Sequence, residues 1–478
     1  MSNYYLTTSI PYVNARPHLG HALEFVQADV VARSHRLRGD DVYFLAGSDD
    51  NSLKNVQAAA AAGIGTRAFV DQNADIFQSL LVALSISNDA FIRTADAAHF
   101  TGAQKLWSAC NPDDIYKKRY QGLYCVGCEQ FYTEDELIEG LCPEHRTKPE
   151  LVEEENYFFK LSNYQDQLAK LIETDEYLVV PGGKKKEILS FIKGGLQDFS
   201  ISRSVERAKN WGVPVPGDPS QIMYVWFDAL SNYITGLGYG DDETLFKKFW
   251  PADAHVVGKG IIRFHAVYWP AMLLSARIPL PKSLFVHGYI TVNGTKMSKS
   301  IGNVIDPLSL AEQYGVDAVR FYFLRHIHPF EDSDFTIDKF RNAYTADLAN
   351  GIGNLVSRVT AMIANNCAGT LLHPVSIDAS FQKHITDYID QWDFRSALNL
   401  IMERVAACDG RIESEKPWAL AKTDQATAHA VLTELANEIY NIGLALRPIM
   451  PLAANRIIEQ VSAAVISKAD GLFAKLTV

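Results

Sequence analysis

Two imidazoles three residues apart, His18 and His21, flank Leu19-Gly20 where a strand-like stretch, Asn3–Thr8, gives way to a helical pattern. Leu23, Val26, Val30 and Leu37 follow at helical spacing and Gly39 is a natural stop, so both histidines stand at the amino end of a helix. Such an end carries unpaired N–H groups and the positive end of the helix dipole, which suits phosphate. Two imidazoles can donate to phosphate oxygens there, and Gly20 lets a flat base lie close to the backbone. Far downstream, Lys296-Met297-Ser298-Lys299-Ser300 follows Asn293-Gly294, a hairpin-turn signal. Two lysines on that loop can reach the same triphosphate. Each motif alone is compatible with structural histidines or a solvated loop; both in this order point to nucleotide chemistry.

A second cluster has metal-ligand spacing. Cys125-Val126-Gly127-Cys128 and Cys142-Pro143-Glu144-His145 are C-x2-C and C-x2-H knuckles. Three thiolates and one imidazole make a closed tetrahedral zinc site, structural because no coordination position stays open. The competing reading is a set of reduced thiols in a small insert. Cys110, Cys367 and Cys408 are scattered and read as buried thiols. A disulfide framework is not expected in a long chain without a secretion signal.

The elements that must position these groups alternate. After the first strand, Asp41–Ala46 reads as a second, with helices over 52–62 and 67–84, which is βαβ patterning and hence a parallel sheet. Ligands in such sheets bind beyond the strand carboxyl ends, so 8–21 and 47–51 belong to a site. There Asp49 and Asp50 can hold a substrate ammonium or simply cap a helix. Residues 113–210 break the pattern and read as an insertion with the zinc knuckles, an acidic run Glu153-Glu154-Glu155, and helices up to Leu196. Strand signals return at 200–203, 222–227 and 255–257, with a helix over 261–274; its His265 reads as a core histidine. Asp306-Pro307 starts a further helix. From Asn342 the strand signal stops, and Leu348, Ile352, Leu355, Val359 and Met362 recur at helical spacing. The expected architecture is therefore α/β: a Rossmann-like catalytic domain (1–112 and 211–295), the connective insertion (113–210), a linking region with the lysine loop (296–341) and an all-α helical bundle (342–478). In that bundle Asn354 and Arg358 are one turn apart, a polar pair able to read a base, and Pro417-Trp418 is either a stacking platform or core.

Composition agrees with a soluble globular protein of 478 residues, 47% hydrophobic and 21% charged. No apolar run is long enough to span a bilayer and the start is no signal peptide, so no membrane role and a cytoplasmic location are expected. A net charge of −11 does not argue for a polyanion partner, although a basic groove can sit on an acidic protein.

Further stretches carry a resemblance. The order of the two motifs resembles the class I aminoacyl-tRNA synthetases. Ser9-Ile10-Pro11-Tyr12, Tyr224-Val225-Trp226-Phe227-Asp228-Ala229-Leu230, Phe191-Ile192-Lys193-Gly194-Gly195-Leu196, Phe264-His265-Ala266-Val267-Tyr268-Trp269-Pro270 and Asp347-Leu348-Ala349-Asn350 are similar to the methionyl-tRNA synthetase family over nearly the whole chain. The resemblance implies methionine activation by ATP with Mg²⁺, then transfer to tRNA(Met) with a CAU anticodon. It implies a methionine pocket of Ser9, Ile10, Tyr12, Asp49, Arg203, Trp226, Ala229, Leu230, Tyr233, Ile261 and His265, with Asp49 on the amino group. It places His18, His21, Lys296 and Lys299 on the transition state, Gly20, Glu24, Gly258 and Ser298 on ATP, and Asn354, Arg358, Pro417 and Trp418 on the anticodon. Two departures stand out. The usual Asp-Glu-His-Gly is Asp49-Asp50-Asn51-Ser52, and the usual Gly-Lys-Asp-Ile is Gly258-Lys259-Gly260-Ile261, which removes a ribose-binding carboxylate. The chain stops after the bundle, so a monomer is expected. Other readings are a catalytically weakened, tRNA-binding regulatory paralogue and an adenylate-forming ligase with a non-tRNA acceptor.

Overall fold

The computed structural model describes residues 2–127, 129–143, 146–296 and 304–476. Cys128, His145, Ser298 and Lys299 lie outside the described residues. The chain forms two compact units. One comprises Met1–Pro17, Asp40–Leu81 and Ser87–His287; the other His18–Gly39, Val82–Ile86 and Gly288–Val478.

The first unit is built on a six-stranded sheet in the order Ala90–Arg93, Asp41–Ser48, Asn3–Thr8, Ala254–Gly258, Ser283–His287, Leu178–Val180. Every pairing is parallel. The central strands are buried almost end to end, as helices on both faces of a parallel sheet require. The outermost strand, Leu178–Val180, comes from the segment read as insertion and was not foreseen: three apolar residues between helices carry no strand period of their own. The acidic run also lies in a strand, Glu150–Phe159, which pairs antiparallel with Ile115–Cys125. Alternation explains it: Glu153 faces solvent and pairs with Arg119 at 2.9 Å, while Glu154 turns to the other face and accepts from the Ser204 hydroxyl at 2.6 Å.

Two boundaries differ from expectation. The strand read over 222–227 ends at Met223, and Val225–Leu230 is helical. The helix read over 261–274 is a 3₁₀ turn at Lys259–Ile261, a π-helical stretch at Phe264–Tyr268 and an α-helix at Trp269–Ser275. A π insertion rotates the side chains that follow it and recurs at functional sites.

In the second unit, Ile290–Val292 and Thr295–Lys296 form the expected hairpin, with Asn293 and Gly294 at φ 53° and 71°. Asp306 caps the next helix, accepting from the Leu308 amide at 2.9 Å. After Ser333–Phe335 the described residues hold only helices, and Leu348, Ile352, Leu355 and Val359 are buried along one stripe. A fully buried Arg320 ties this unit together. It pairs with Asp29 of the helix Leu19–Leu37 at 2.7 Å and donates to the carbonyls of Leu84, Pro448 and Ile449 at 3.1, 3.0 and 2.7 Å. No helix among the described residues is long and apolar enough to cross a membrane.

Candidate functional site

In the first unit the strands Asn3–Thr8, Asp41–Ser48 and Ala254–Gly258 end side by side, and the segments beyond them converge. The pairing of the first two continues past their ends: Tyr12 and Asp49 form an isolated parallel bridge, and the Asp49 amide donates to the Pro11 carbonyl at 2.9 Å. Backbone hydrogen bonds therefore set an aromatic ring beside a carboxylate. Trp226 meets the Tyr12 ring edge-on at 6.4 Å and stacks on Phe264 at 3.7 Å. Trp226, Leu230 and Tyr233 share one apolar cluster, against which Tyr12 and Ile261 pack; Ala229 is buried too. Phe264 had no separate signal in the sequence, because an aromatic at helical spacing reads as core.

The polar atoms here are ordered by single, assignable bonds. His265 Nδ1–H donates to the Ile261 carbonyl at 2.9 Å, so Nε2 accepts from the Tyr233 hydroxyl at 2.7 Å. Beneath Tyr233 lies the His255 ring at 4.2 Å, which accepts from Trp269 Nε1 at 3.3 Å and faces the Thr7 hydroxyl at 2.7 Å. Burial, with His265 nearby, pushes His255 well below the usual histidine range, so this floor is neutral. By contrast, the Tyr12 hydroxyl and Trp226 Nε1 are buried with no hydrogen-bond partner among the described residues. An unmet buried polar atom costs about 1–3 kcal/mol, so both mark places where a ligand's polar atoms belong.

Asp49 is 2% exposed and accepts from the Asn51 amide at 3.1 Å. Among the described residues no cation pairs with it. Burial, then the nearby Asp228, holds its carboxyl well above the usual range. An aromatic nest with an uncompensated carboxylate at its head fits a small ligand with an apolar body and an ammonium group.

The first departure now has a structural account. Asp50 is engaged by Arg93 at 2.8 Å and by the Ser48 hydroxyl at 2.8 Å; burial pushes its carboxyl up to about 6 even so. Asn51 bridges the Thr94 carbonyl and Asp228, each at 2.8 Å, and Asp228 is held in turn by His99 at 2.6 Å. Ser52 caps the helix Leu53–Ala62. Gly260 is exposed in the short turn Lys259–Ile261 and brings no acceptor side chain.

Gly258 ends its strand, and Ser9 donates its amide to the Val256 carbonyl at 3.0 Å. Arg203 is buried between the Tyr124 and Tyr224 rings and donates to the Tyr124 hydroxyl at 2.9 Å.

The histidine pair belongs to the second unit, where it forms a reciprocal cap. His18 Nδ1 accepts from the Gly20 amide at 3.1 Å, and His21 Nδ1 accepts from the His18 amide at 3.2 Å. The two rings stack at 3.8 Å. With both Nδ1 atoms accepting, the neutral rings carry their protons on Nε2, the form that donates to an anion. The glycine has a reason beyond access for a base: a β-carbon at Gly20 would lie 2.9 Å from Cε1 of His18, so only glycine leaves the capping ring in place. Glu24 is buried one turn on. Lys296 ends the hairpin strand.

In the cysteine region, Cys125 and Cys142 are buried together in one small cluster with Tyr132. The residue four places after each leading cysteine is left-handed, Glu129 at φ 54° and Arg146 at φ 52°. Two soft donors buried in one cluster are of the kind that fits a zinc ion.

In the helical region, Asn354 is exposed on the helix Gly353–Asn366, and Arg358 one turn on is partly occupied by Asp409 at 3.4 Å and Glu413 at 2.7 Å. That helix packs against Pro417–Thr423, in which Pro417 is buried at the first position and Trp418 is 39% exposed.

These features define a class of protein, and comparison with known ones agrees. The family model for tRNA synthetases class I (M) matches residues 4–149 and 145–360. The methionine–tRNA ligase of Brucella suis is 42% identical over 95% of this chain and 91% of its own length. That of Thermotoga maritima is 41% identical over 96% of this chain and 75% of its own. The Mycobacterium tuberculosis methionyl-tRNA synthetase in complex with methionyl-adenylate superposes with a TM-score of 0.93 at 38% identity, covering 99% of this chain and 100% of that one. The chain belongs to the methionyl family of class I tRNA synthetases.

Proposed function

We propose that this chain is a methionine–tRNA ligase. The observation that carries the reading is the buried Asp49 carboxylate, without a cation among the described residues, at the head of a nest walled by Tyr12, Trp226, Tyr233 and His265. A thioether side chain is flexible and polarizable and suits aromatic walls, while its α-ammonium supplies the charge that Asp49 lacks.

The methionine carboxylate attacks the α-phosphorus of ATP in line; pyrophosphate leaves and methionyl-adenylate forms. A terminal ribose hydroxyl of tRNA then displaces AMP. His18, His21, Lys296 and Lys299 stabilise charge on the phosphates, and Gly20, Glu24, Gly258 and Ser298 hold the nucleotide, which comes with Mg²⁺. This is catalysis by positioning and electrostatics, without a covalent enzyme intermediate. Ser9, Ile10, Ala229, Leu230 and Ile261 complete the amino-acid pocket, and Arg203 orders its rear. Residues 1–112 with 211–295 form the catalytic domain and 342–478 the bundle, in which Asn354, Arg358, Pro417 and Trp418 read the CAU anticodon. The enzyme works in the cytoplasm.

The test is ATP–pyrophosphate exchange across the standard amino acids. Methionine is expected to drive it best, and tRNA with an altered anticodon to be charged poorly while exchange is untouched. Exchange driven better by another amino acid overturns the reading.

Cys125, Cys128, Cys142 and His145 hold one structural zinc, which staples the segment between the two knuckles. Metal analysis of protein purified without added zinc is expected to find about one equivalent per chain, and chelation to lower the unfolding temperature. A metal-free protein with unchanged stability would count against it.

A further inference from the structure

We propose that Glu129 is a positioning residue for amino-acid recognition: a buried carboxylate behind the pocket that sets Arg203, and through Arg203 the Tyr224 ring that precedes the helix bearing Trp226. The proposal rests on the reading of that pocket as the methionine site.

The two knuckles offer an internal comparison. Glu129 and Arg146 each stand four places after the leading cysteine of a knuckle, and both are left-handed. A residue with a β-carbon is strained there and glycine is not. Arg146 is exposed, as a knuckle residue without further duties would be. Glu129 is 0% exposed, and a buried carboxylate persists only where it is paired.

Its bonds run to several elements around the pocket. Oε1 accepts from the Lys54 amide at 3.3 Å, at the start of the helix that follows Asp49. Oε2 accepts from the Tyr124 hydroxyl and lies 3.5 Å from both terminal nitrogens of Arg203. The Glu129 carbonyl accepts from the Tyr224 hydroxyl. Tyr224 directly precedes Val225–Leu230, the helix that carries Trp226, Ala229 and Leu230. Arg203 lies between the Tyr124 and Tyr224 rings, 5.2 and 5.3 Å from their centroids. One residue thus links the two sides of the pocket: its carboxylate meets Lys54, Tyr124 and Arg203, and its main-chain carbonyl meets Tyr224 before the Trp226 helix. A mere counter-ion for Arg203 would not need an amide bond from Lys54 as well.

The experiment compares Glu129→Gly with Arg146→Gly in the full-length, metal-loaded protein. Both changes relieve a left-handed residue in a knuckle; only the first removes the carboxylate. For Glu129→Gly, methionine binding by calorimetry is expected to weaken about 10- to 100-fold, the loss of a charge-assisted bond network. The methionine KM in pyrophosphate exchange should rise with it, while kcat, the ATP KM and zinc content stay within about threefold of wild type. Arg146→Gly should match wild type throughout. Glu129→Gln keeps an acceptor for Tyr124 without the charge facing Arg203, and should fall between. Wild-type methionine affinity in Glu129→Gly overturns the proposal. So does a parallel loss of zinc, kcat and both KM values, which would make Glu129 only a part of the knuckle's fold. If wild-type protein itself fails to bind methionine, it is the assignment of the pocket that falls.

Discussion

Asp49→Asn is expected to weaken methionine binding and kcat/KM for methionine by about two to four orders of magnitude. Removing one partner of a buried ion pair costs about 3–5 kcal/mol, because the other charge is left unpaired out of water. Here the stranded charge is the substrate ammonium, and no other carboxylate is poised to take it: Asp50 is held by Arg93 and Asp228 by His99 and Asn51. The sign for the folded protein is opposite. Burial and the neighbouring Asp228 raise the Asp49 pKa well above an ordinary carboxylate's. A group whose folded pKa is raised contributes its stability below the unfolded pKa and loses it as pH rises through the folded one. Ionising Asp49 therefore strains the ligand-free fold, and Asp49→Asn, which carries no charge at any pH, should melt at the wild-type temperature or above it. The raised pKa also sets the pH dependence: methionine affinity should decline with acidity starting above the ordinary carboxylate range, as protonation removes the charge the ammonium needs. Calorimetric titration of methionine at several pH values, beside thermal melts of the free proteins, checks all three. A variant that binds methionine as wild type does, or that melts well below it, contradicts the account.

Arg320→Met should destabilise the unit formed by 18–39, 82–86 and 288–478 by about 3–5 kcal/mol, the cost of breaking a buried ion pair from one side. Arg320 has no exposed surface, and its guanidinium serves Asp29 and three main-chain carbonyls from separate segments. A planar fork with five donors meets that geometry; a lysine has no such fork, so Arg320→Lys should recover only part of the loss. Asp29 keeps its second partner, Arg33, at 2.6 Å, which limits the damage on the carboxylate side. Adding Asp29→Leu to Arg320→Met should restore the portion due to the stranded carboxylate, not that due to the three carbonyls. Denaturant unfolding of the four proteins measures this. Because the helix anchored by Asp29 begins at the His18 cap, pyrophosphate exchange should fall in Arg320→Met as well. An Arg320→Met protein as stable as wild type would mean that the carbonyls find other donors.

Much of the protein was legible from short-range pattern. The hairpin at Asn293-Gly294 and the cap at Asp306 lie where local sequence puts them, because each is closed by bonds between residues only a few positions apart. The reciprocal cap of His18 and His21 is equally local, so the tautomers that make these rings donors follow from four consecutive residues. The helical character of the last third was likewise carried by its periodicity.

Tertiary structure alone decided the rest. Local sequence left Asp49 and Asp50 equivalent; in the fold Asp49 is bridged to Tyr12 without a cation among the described residues, while Asp50 is paired with Arg93. The replacement of the family's histidine by Asn51 looked like a loss until its amide was seen bonded to Asp228, far along the chain. Nothing in the local sequence singles out Glu129 or Arg320. What they do depends on the low dielectric around them and on partners far away in sequence, and burial at such range leaves no periodicity or spacing in the chain to read.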